Sequence, residues 1–150
     1  MYCSQLTSFD KAATGTGGYV ALIARRIGNS DYRVKLKKVA SGAITIYAEK
    51  VVSGQETALA TRTVSGLVAG PTEALRLRFS VTGSGTTTLN AKVWKTTATE
   101  PAAWQVTATD TTSQLQAPGG IGIWTYLSGS ATNAPVTTLV DNLAATQVVP

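Results

Sequence analysis

The chain has 150 residues, with 13 lysine and arginine residues against eight acidic ones, a single cysteine and no histidine. Its length suits one domain, so we treat residues 1–150 as one unit. Without histidine the chain lacks the usual general base of serine and cysteine hydrolases, and with one thiol it also lacks the ordinary zinc ligands. No apolar run approaches the roughly 18 residues of a membrane-spanning helix, so no membrane span is predicted.

The first predicted strands lie in the N-terminal half of the chain. Residues 18–26 form an apolar run of strand length between two turn-forming segments. In residues 32–37 apolar and cationic side chains alternate, which predicts a half-buried strand with a cationic outer face. Strands at 44–48 and 57–64 follow, each after a short glycine-containing turn. These segments predict an antiparallel meander.

The clearest alternation lies in residues 75–81, where leucine, phenylalanine and valine side chains alternate with two arginines and a serine. After a glycine-rich turn, residues 89–94 place Asn90, Lys92 and Trp94 on the face opposite three apolar side chains. Later strands are predicted at residues 104–109, 121–127 and 136–143. No segment has the 3.6-residue apolar period of a helix, so the sequence predicts an all-β, antiparallel two-sheet β-sandwich.

Six segments together carry a recognisable order of strands, turns and loops. They are Ser8–Ala12, Ala24–Lys35, Leu75–Gly83, Thr88–Trp94, Thr99–Gln105 and Gly129–Val136. In that order they resemble the concanavalin-A-like, laminin-G-like jelly-roll module of secreted actinobacterial proteins and actinobacteriophage tail proteins. The resemblance implies a jelly-roll sandwich and an extracellular or virion location. It implies no single activity, because that sandwich hosts lectins, hydrolases and adhesion modules alike.

The resemblance also implies that one strand is missing. Such modules usually begin with further residues that include a strand pairing near the C-terminal strand, whereas Met1 stands just before what resembles the second or third strand. We therefore expect either a fragment or a strand supplied by another chain, with an open edge at residues 136–143. The apolar side chains of that edge are Val136, Leu139, Val140 and Leu143.

The distribution of charged residues along the chain indicates which kind of neighbouring chain could cover this edge. Residues 1–95 carry all 13 cations against five acids, and residues 96–150 carry three acids and no cation. This polarity favours a head-to-tail neighbour over a symmetric one. We predict a homo-oligomer or a docked protein partner.

The carboxylates offer little support for catalysis. The Glu-x-Asp-x-x-Glu pattern of jelly-roll glucanases is absent, and Glu49 and Glu56, which flank a turn, are expected to form a solvated hairpin tip. We predict that the protein is not an enzyme, and the second alternative function is a degenerate glycoside hydrolase. No cofactor is predicted. Calcium is compatible with Asp31 or Asp141, although asparagine and aspartate at such positions more commonly cap turns.

The aromatic residues are the stronger functional signal. Trp94 and Tyr47 are predicted to point outward, and exposed rings of this kind stack on sugars. The candidate ligand-binding residues are Trp94, Tyr47, Asn90, Lys92, Arg78 and Arg76. Trp104 and Trp124 are expected to pack in the core or at its rim. The predicted function is a non-catalytic binding or surface-display module for a glycan or cell-envelope polymer. The alternative is a purely structural virion component, a tail or capsid-decorating protein.

Clustered cations also raise the question of nucleic acid. The predicted basic face contains Arg33, Lys35, Lys37, Arg76, Arg78 and Lys92. The chain has no recognised nucleic-acid motif, no basic tail and no phosphate-binding loop. Solvated strand faces or an anionic glycan therefore fit these cations better than a nucleic acid does.

Overall fold

A computed structural model describes residues 1–147, and they form an antiparallel β-sandwich of two five-stranded sheets, as the sequence predicts. The strands are β1 (Tyr2–Phe9), β2 (Gly18–Ile27), β3 (Ser30–Lys38), β4 (Ala43–Val52), β5 (Gln55–Val68), β6 (Leu75–Thr82), β7 (Thr87–Lys95), β8 (Val106–Asp110), β9 (Gly120–Leu127) and β10 (Thr138–Thr146). The first sheet has the order β10-β1-β6-β7-β8 and the second β5-β4-β3-β2-β9. Within the described residues the helical structure is one 3₁₀ turn, Ser113–Leu115, and no helix is long and apolar enough to span a bilayer.

The core lies between the sheets and arises from the alternation seen in the sequence. In β6, Leu77 and Phe79 are fully buried, while Arg76 projects from the other face of the strand. In β3, Val34 and Leu36 face the core from the second sheet. Burial of each such large apolar side chain contributes about 1.5–3 kcal/mol. Because strand side chains alternate, the polar residues of these strands lie on two opposite outer faces of the sandwich.

β1 differs from the prediction, which contains no strand before residue 18. It lies between β10 and β6 and pairs with both in antiparallel fashion. Residues 2–9 thus supply a strand beside the C-terminal strand, at the place where one was expected to be missing. Gln5 and Thr7 face inward and are buried, while Leu6 is on the outer face. The inward face of β1 therefore mixes these polar side chains with the buried Cys3 and Phe9, so the strand lacks the apolar–polar alternation that predicts a half-buried strand.

β10 is the end strand of the first sheet, and among the described residues it pairs with β1 alone. It spans Thr138–Thr146, shifted towards the C-terminus from the predicted 136–143. Each sheet has two end strands: β10 and β8 in the first, β9 and β5 in the second. Because β5 lies against β8 along one side of the sandwich, β9 and β10 are neighbours along the other side. The exposed apolar side chains there are Ile121, Ile123, Leu139 and Leu143, at 38–53% exposure. The other two residues of the predicted edge, Val136 and Val140, pack against the core instead.

A buried polar network links the two sheets at one end of the core. The hydroxyl of Tyr32 in β3 donates to Asp110 Oδ2 in β8 at 2.7 Å, and Lys50 Nζ in β4 donates to Asp110 Oδ1 at 2.7 Å. Burial raises the pKa of Tyr32 to about 12, and its bond to Asp110 acts in the same direction. Burial alone would raise the pKa of Asp110, but hydrogen bonds from Lys50, Tyr32 and Thr112 outweigh it and lower this pKa to about 2.

Candidate functional site

The outer face of the second sheet carries a cluster of aromatic rings, which we call the aromatic platform. Its rings are Tyr19 in β2, Tyr47 in β4, and Trp124 and Tyr126 in β9. The register of β2 and β9 places Tyr126 opposite Tyr19 and Trp124 opposite Ala21. These two cross-strand pairs are two residues apart along the strands, so they lie side by side on the same face. Ala21 is in turn opposite Lys35, and Lys35 is opposite Tyr47. The small side chain of Ala21 leaves space between Trp124 and Lys35.

Distances show that the rings form one continuous group. The rings of Trp124 and Tyr126 lie 5.8 Å apart between centroids and are nearly parallel, at 8°. Tyr19 is 5.6 Å from Tyr126. Lys35 Nζ stands among them, 5.2 Å from the Tyr47 centroid and 5.9 Å from those of Tyr19 and Trp124. Tyr126 is 52% exposed, so its ring is available to a ligand.

Arg33 and Lys35, two of the three cations on the platform, are paired with carboxylates, while Lys37 Nζ lies 5.8 Å from the Tyr19 centroid. Arg33 donates to both oxygens of Asp31 at 2.8 Å, and its Cζ lies 5.4 Å from the Trp124 centroid. Lys35 Nζ contacts Glu49 Oε1 at 2.9 Å and Glu56 Oε2 at 3.0 Å. Burial alone would lower the pKa of Lys35, but these two carboxylates raise it, so the ammonium stays charged. This network fixes the charged side chains beneath and between the rings.

Glu49 does not belong to the solvated hairpin tip that the sequence predicts, whereas Glu56 is exposed near the turn. Glu49 is 3% exposed, and its Oε2 makes no hydrogen bond within the described residues. Burial raises its pKa, although Lys35 partly offsets this. The prediction fails because β4 continues to residue 52 and places Glu49 opposite Arg33 in β3. Both carboxylates contact one ammonium, which therefore occupies the space where a catalytic pair would hold its substrate.

The structure does not bring the six predicted ligand-binding residues together. Arg76, Arg78, Asn90, Lys92 and Trp94 lie on the outer face of the first sheet, in β6 and β7. Tyr47 lies on the outer face of the second sheet, among the residues of the aromatic platform. A single site containing all six is therefore wrong, because the chain changes sheets between β5 and β6.

Trp94 also differs from its predicted exposure. It lies on the outer face of β7, but it is only 7% exposed, and Arg78 Cζ is 5.8 Å from its ring. Arg78 and Lys92 line a cleft on the same face. Asn90 accepts a hydrogen bond from Thr107 at 2.8 Å, which engages its side-chain oxygen within the sheet.

The predicted basic face is divided in the same way. Three of its cations lie on the second sheet and three on the first, since β3 and β6 belong to different sheets. Arg33 and Lys35 pair with acids on one face, and Arg78 and Lys92 pair with Glu100 on the other. The prediction of one continuous cationic surface is wrong, which further weakens the case for phosphate-backbone binding.

Sequence reasoning missed the main residues of the platform. Trp124 and Trp104 were expected in the core or at its rim; both are half-buried, and neither belongs to the cluster between the sheets. The spacing of Trp124 and Tyr126, two residues apart in one strand, was the available signal, since such residues share a face. Nothing in the sequence shows that Tyr19 and Tyr47 lie on that face as well.

The calcium candidates lie apart. Asp31 is 1% exposed and both its oxygens accept from Arg33, so its carboxylate is already neutralised. Asp141 is exposed in β10 of the other sheet and accepts from the backbone amide of Asn142. Within residues 1–147 no three histidine, cysteine, aspartate or glutamate side chains gather closely enough to hold a metal ion. Asp31 therefore does not fit a calcium ligand.

Comparison with known proteins finds solved structures of similar fold, among them a carbohydrate-binding module. No protein-family model matches the sequence, and no curated protein matches it. The carbohydrate-binding module CBM66 from Bacillus subtilis superposes with a TM-score of 0.57 at 12% sequence identity, over 95% of this chain and 73% of that one. At this identity the similarity establishes the β-sandwich fold and leaves the site to be argued from its own residues.

Proposed function

We propose that this chain is a non-catalytic carbohydrate-binding module whose ligand lies on the aromatic platform. The observation that carries the proposal is the group of four partly exposed rings on one sheet face, three of them around Lys35 and the fourth, Tyr126, stacked on Trp124. The C–H groups of a sugar ring are electropositive and pack well on the electron-rich face of an aromatic ring. Carboxylates and cations at the edges of these rings supply hydrogen bonds for hydroxyl groups.

The charge pattern of the platform favours a neutral glycan. Arg33 is paired with Asp31, and Lys35 is shared by Glu49 and Glu56. At the centre of the platform an acidic sugar would have to displace the carboxylates that already contact Arg33 and Lys35, whereas a neutral hydroxyl can bond to their remaining lone pairs. The similar fold of CBM66 is consistent with this use of the sandwich. The proposed setting is a secreted protein or a virion, on the resemblance described above.

Loss of platform rings is expected to weaken glycan binding without unfolding the protein. Tyr126→Ala removes an exposed ring, and a stacked ring contributes about 0.5–1.5 kcal/mol, or about 2- to 12-fold in Kd. Trp124→Ala should cost more, because its larger ring lies at the centre of the group. Affinity electrophoresis against a panel of cell-wall and storage glycans measures both effects.

For the neutral glycans of the panel Trp104→Ala is the matched control, since it removes an equally large ring from the opposite face of the sandwich. Equal losses in Trp104→Ala and Trp124→Ala would contradict the platform. So would an absence of binding by the wild type to every glycan at millimolar concentration. Turnover of a bound glycan that disappears in Glu49→Gln would instead support the degenerate hydrolase.

A second candidate function, a structural component acting through contacts with further copies of the chain, rests on β9 and β10. The exposed side chains of Ile121, Ile123, Leu139 and Leu143 lie beside two open strand edges. Such edges pair readily with other strands unless charges protect them. The acidic C-terminal region, which includes β10, would complement the cation-rich remainder in a head-to-tail contact.

Charges on this edge are expected to break any such assembly. The double variant Leu139→Lys, Leu143→Lys should shift the protein to a monomer of about 15.5 kDa in light scattering at micromolar concentration. The double variant Thr61→Lys, Thr63→Lys places the same charges on exposed positions of β5 and should leave the mass unchanged. A wild type that is already monomeric would exclude this candidate.

A further inference from the structure

The outer face of the first sheet contains a cleft that the proposed function does not use. It has a volume of about 440 Å³, within the range of small-molecule sites. Side chains that line it come from four strands and the segment between β7 and β8: Tyr2, Ser4, Arg78, Lys92, Trp104 and Thr146. It lies across the sandwich from the aromatic platform, so the two sites can be tested separately.

Two aromatic rings form part of the cleft wall. The rings of Tyr2 and Trp104 are nearly parallel, at 10°, with centroids 6.4 Å apart. Lys92 Nζ lies 4.8 Å from the Trp104 centroid. Gln105, next to Trp104, bonds through its side chain to both the amide and the carbonyl of Val93 in β7, at 2.8 and 3.0 Å. Trp104 is therefore held in place before any ligand binds.

The charges of the cleft differ from those of the platform. Glu100 Oε1 contacts Arg78 Nη1 at 2.7 Å and Lys92 Nζ at 2.9 Å. Two cations thus share one carboxylate, and one positive charge is left over. Arg78 is 40% exposed along its side chain, while Lys92 is 9% exposed and also bonds to the Pro101 carbonyl. Arg78 is consequently the cation that an incoming anion can reach.

We propose that this cleft binds a uronic acid residue, a sugar that carries a carboxylate. Its ring would pack against Tyr2 and Trp104, and its carboxylate would pair with the guanidinium of Arg78, which suits bidentate contact with such a group. Hydroxyl groups of the sugar would meet those of Ser4 and Thr146. The carboxylate of Glu100 already contacts Arg78, so it competes with the carboxylate of the sugar for the guanidinium.

The matched probes are digalacturonate and its neutral counterpart galactobiose, which differ in the C6 carboxylates. Isothermal titration of the Trp124→Ala protein, in which the platform is impaired, should at low ionic strength detect digalacturonate and not galactobiose, with affinity falling as salt is added. Arg78→Ala should weaken digalacturonate binding about tenfold or more. Arg78→Lys keeps the positive charge but cannot make the bidentate contact of a guanidinium, so it should retain only part of the affinity.

Glu100→Gln tests the proposal in the opposite direction, because it should strengthen binding rather than weaken it. Removing the internal competitor should strengthen digalacturonate binding by about two- to fivefold, the worth of an exposed ion pair. Trp104→Ala should abolish it, while Trp124→Ala should leave it unchanged. Acetate binding as tightly as digalacturonate, weaker binding in Glu100→Gln, or loss in Trp124→Ala with retention in Arg78→Ala would each overturn the proposal. None of these outcomes depends on whether the platform binds neutral glycans.

Discussion

Asp31→Ala is expected to lower the free energy of unfolding by about 3 kcal/mol. Asp31 is 1% exposed and Arg33 is 5% exposed, and the carboxylate accepts both hydrogen bonds of a bidentate pair. Removing one member of a buried ion pair leaves the other charge without compensation, which typically costs about 3–5 kcal/mol. The lower end applies because Glu56 remains 3.2 Å from Arg33 Nη1.

Urea unfolding followed by circular dichroism measures this change. Asp141→Ala is the control, because Asp141 is exposed and its carboxylate contacts the neighbouring backbone amide. That control should change stability by less than about 0.5 kcal/mol. Equal and small effects of the two substitutions would contradict the role assigned to the Asp31–Arg33 pair.

Asp110→Asn is expected to lower the free energy of unfolding by about 2 kcal/mol at neutral pH and by much less in acid. The pKa of Asp110 falls from its usual 3.8 to about 2 in the folded chain, against the effect of burial, through bonds from Lys50 and Tyr32. A folded pKa below the unfolded one stabilises the fold at every pH above about 3.8. The contribution is lost as the pH falls through about 2.

Unfolding free energies of the wild type and Asp110→Asn, measured from pH 7 to pH 2, test the prediction. The two curves should lie apart at neutral pH and converge below about pH 4. Thr109→Ala, at the exposed neighbouring position, should follow the wild-type curve throughout. A constant gap between wild type and Asp110→Asn across the range would show that the ionised carboxylate is not what stabilises the fold.

The architecture could be predicted because most strands place apolar and polar side chains in strict alternation. The arginines of β6, and Lys35 and Lys37 of β3, project from faces opposite fully buried leucines and phenylalanine. β1 could not be recognised, since its inward face includes Gln5 and Thr7 and its outward face includes Leu6. Those two polar side chains are buried because β1 pairs with β6 and β10, and the sequence of residues 2–9 alone does not predict this pairing.

The candidate site was harder to predict, for a topological reason. β3 and β6 have the same local pattern, so their cations seemed to share one surface, but the chain enters the other sheet between β5 and β6. Tyr47 was correctly placed on an outer face, while its neighbours Trp124 and Tyr126 come from a strand more than 70 residues away. Only strand register brings those rings together.

The measurement that tests the platform most directly is amide chemical-shift mapping of the labelled protein during titration with each glycan of the panel. Binding on the platform predicts shifts in the rows that cross β9, β2, β3 and β4 around Trp124, Lys35 and Tyr47. Tyr126→Ala should reduce them at equal glycan concentration. Shifts confined to the β9 and β10 edges, or no shifts with any glycan at millimolar concentration, would contradict a carbohydrate-binding platform on this sheet.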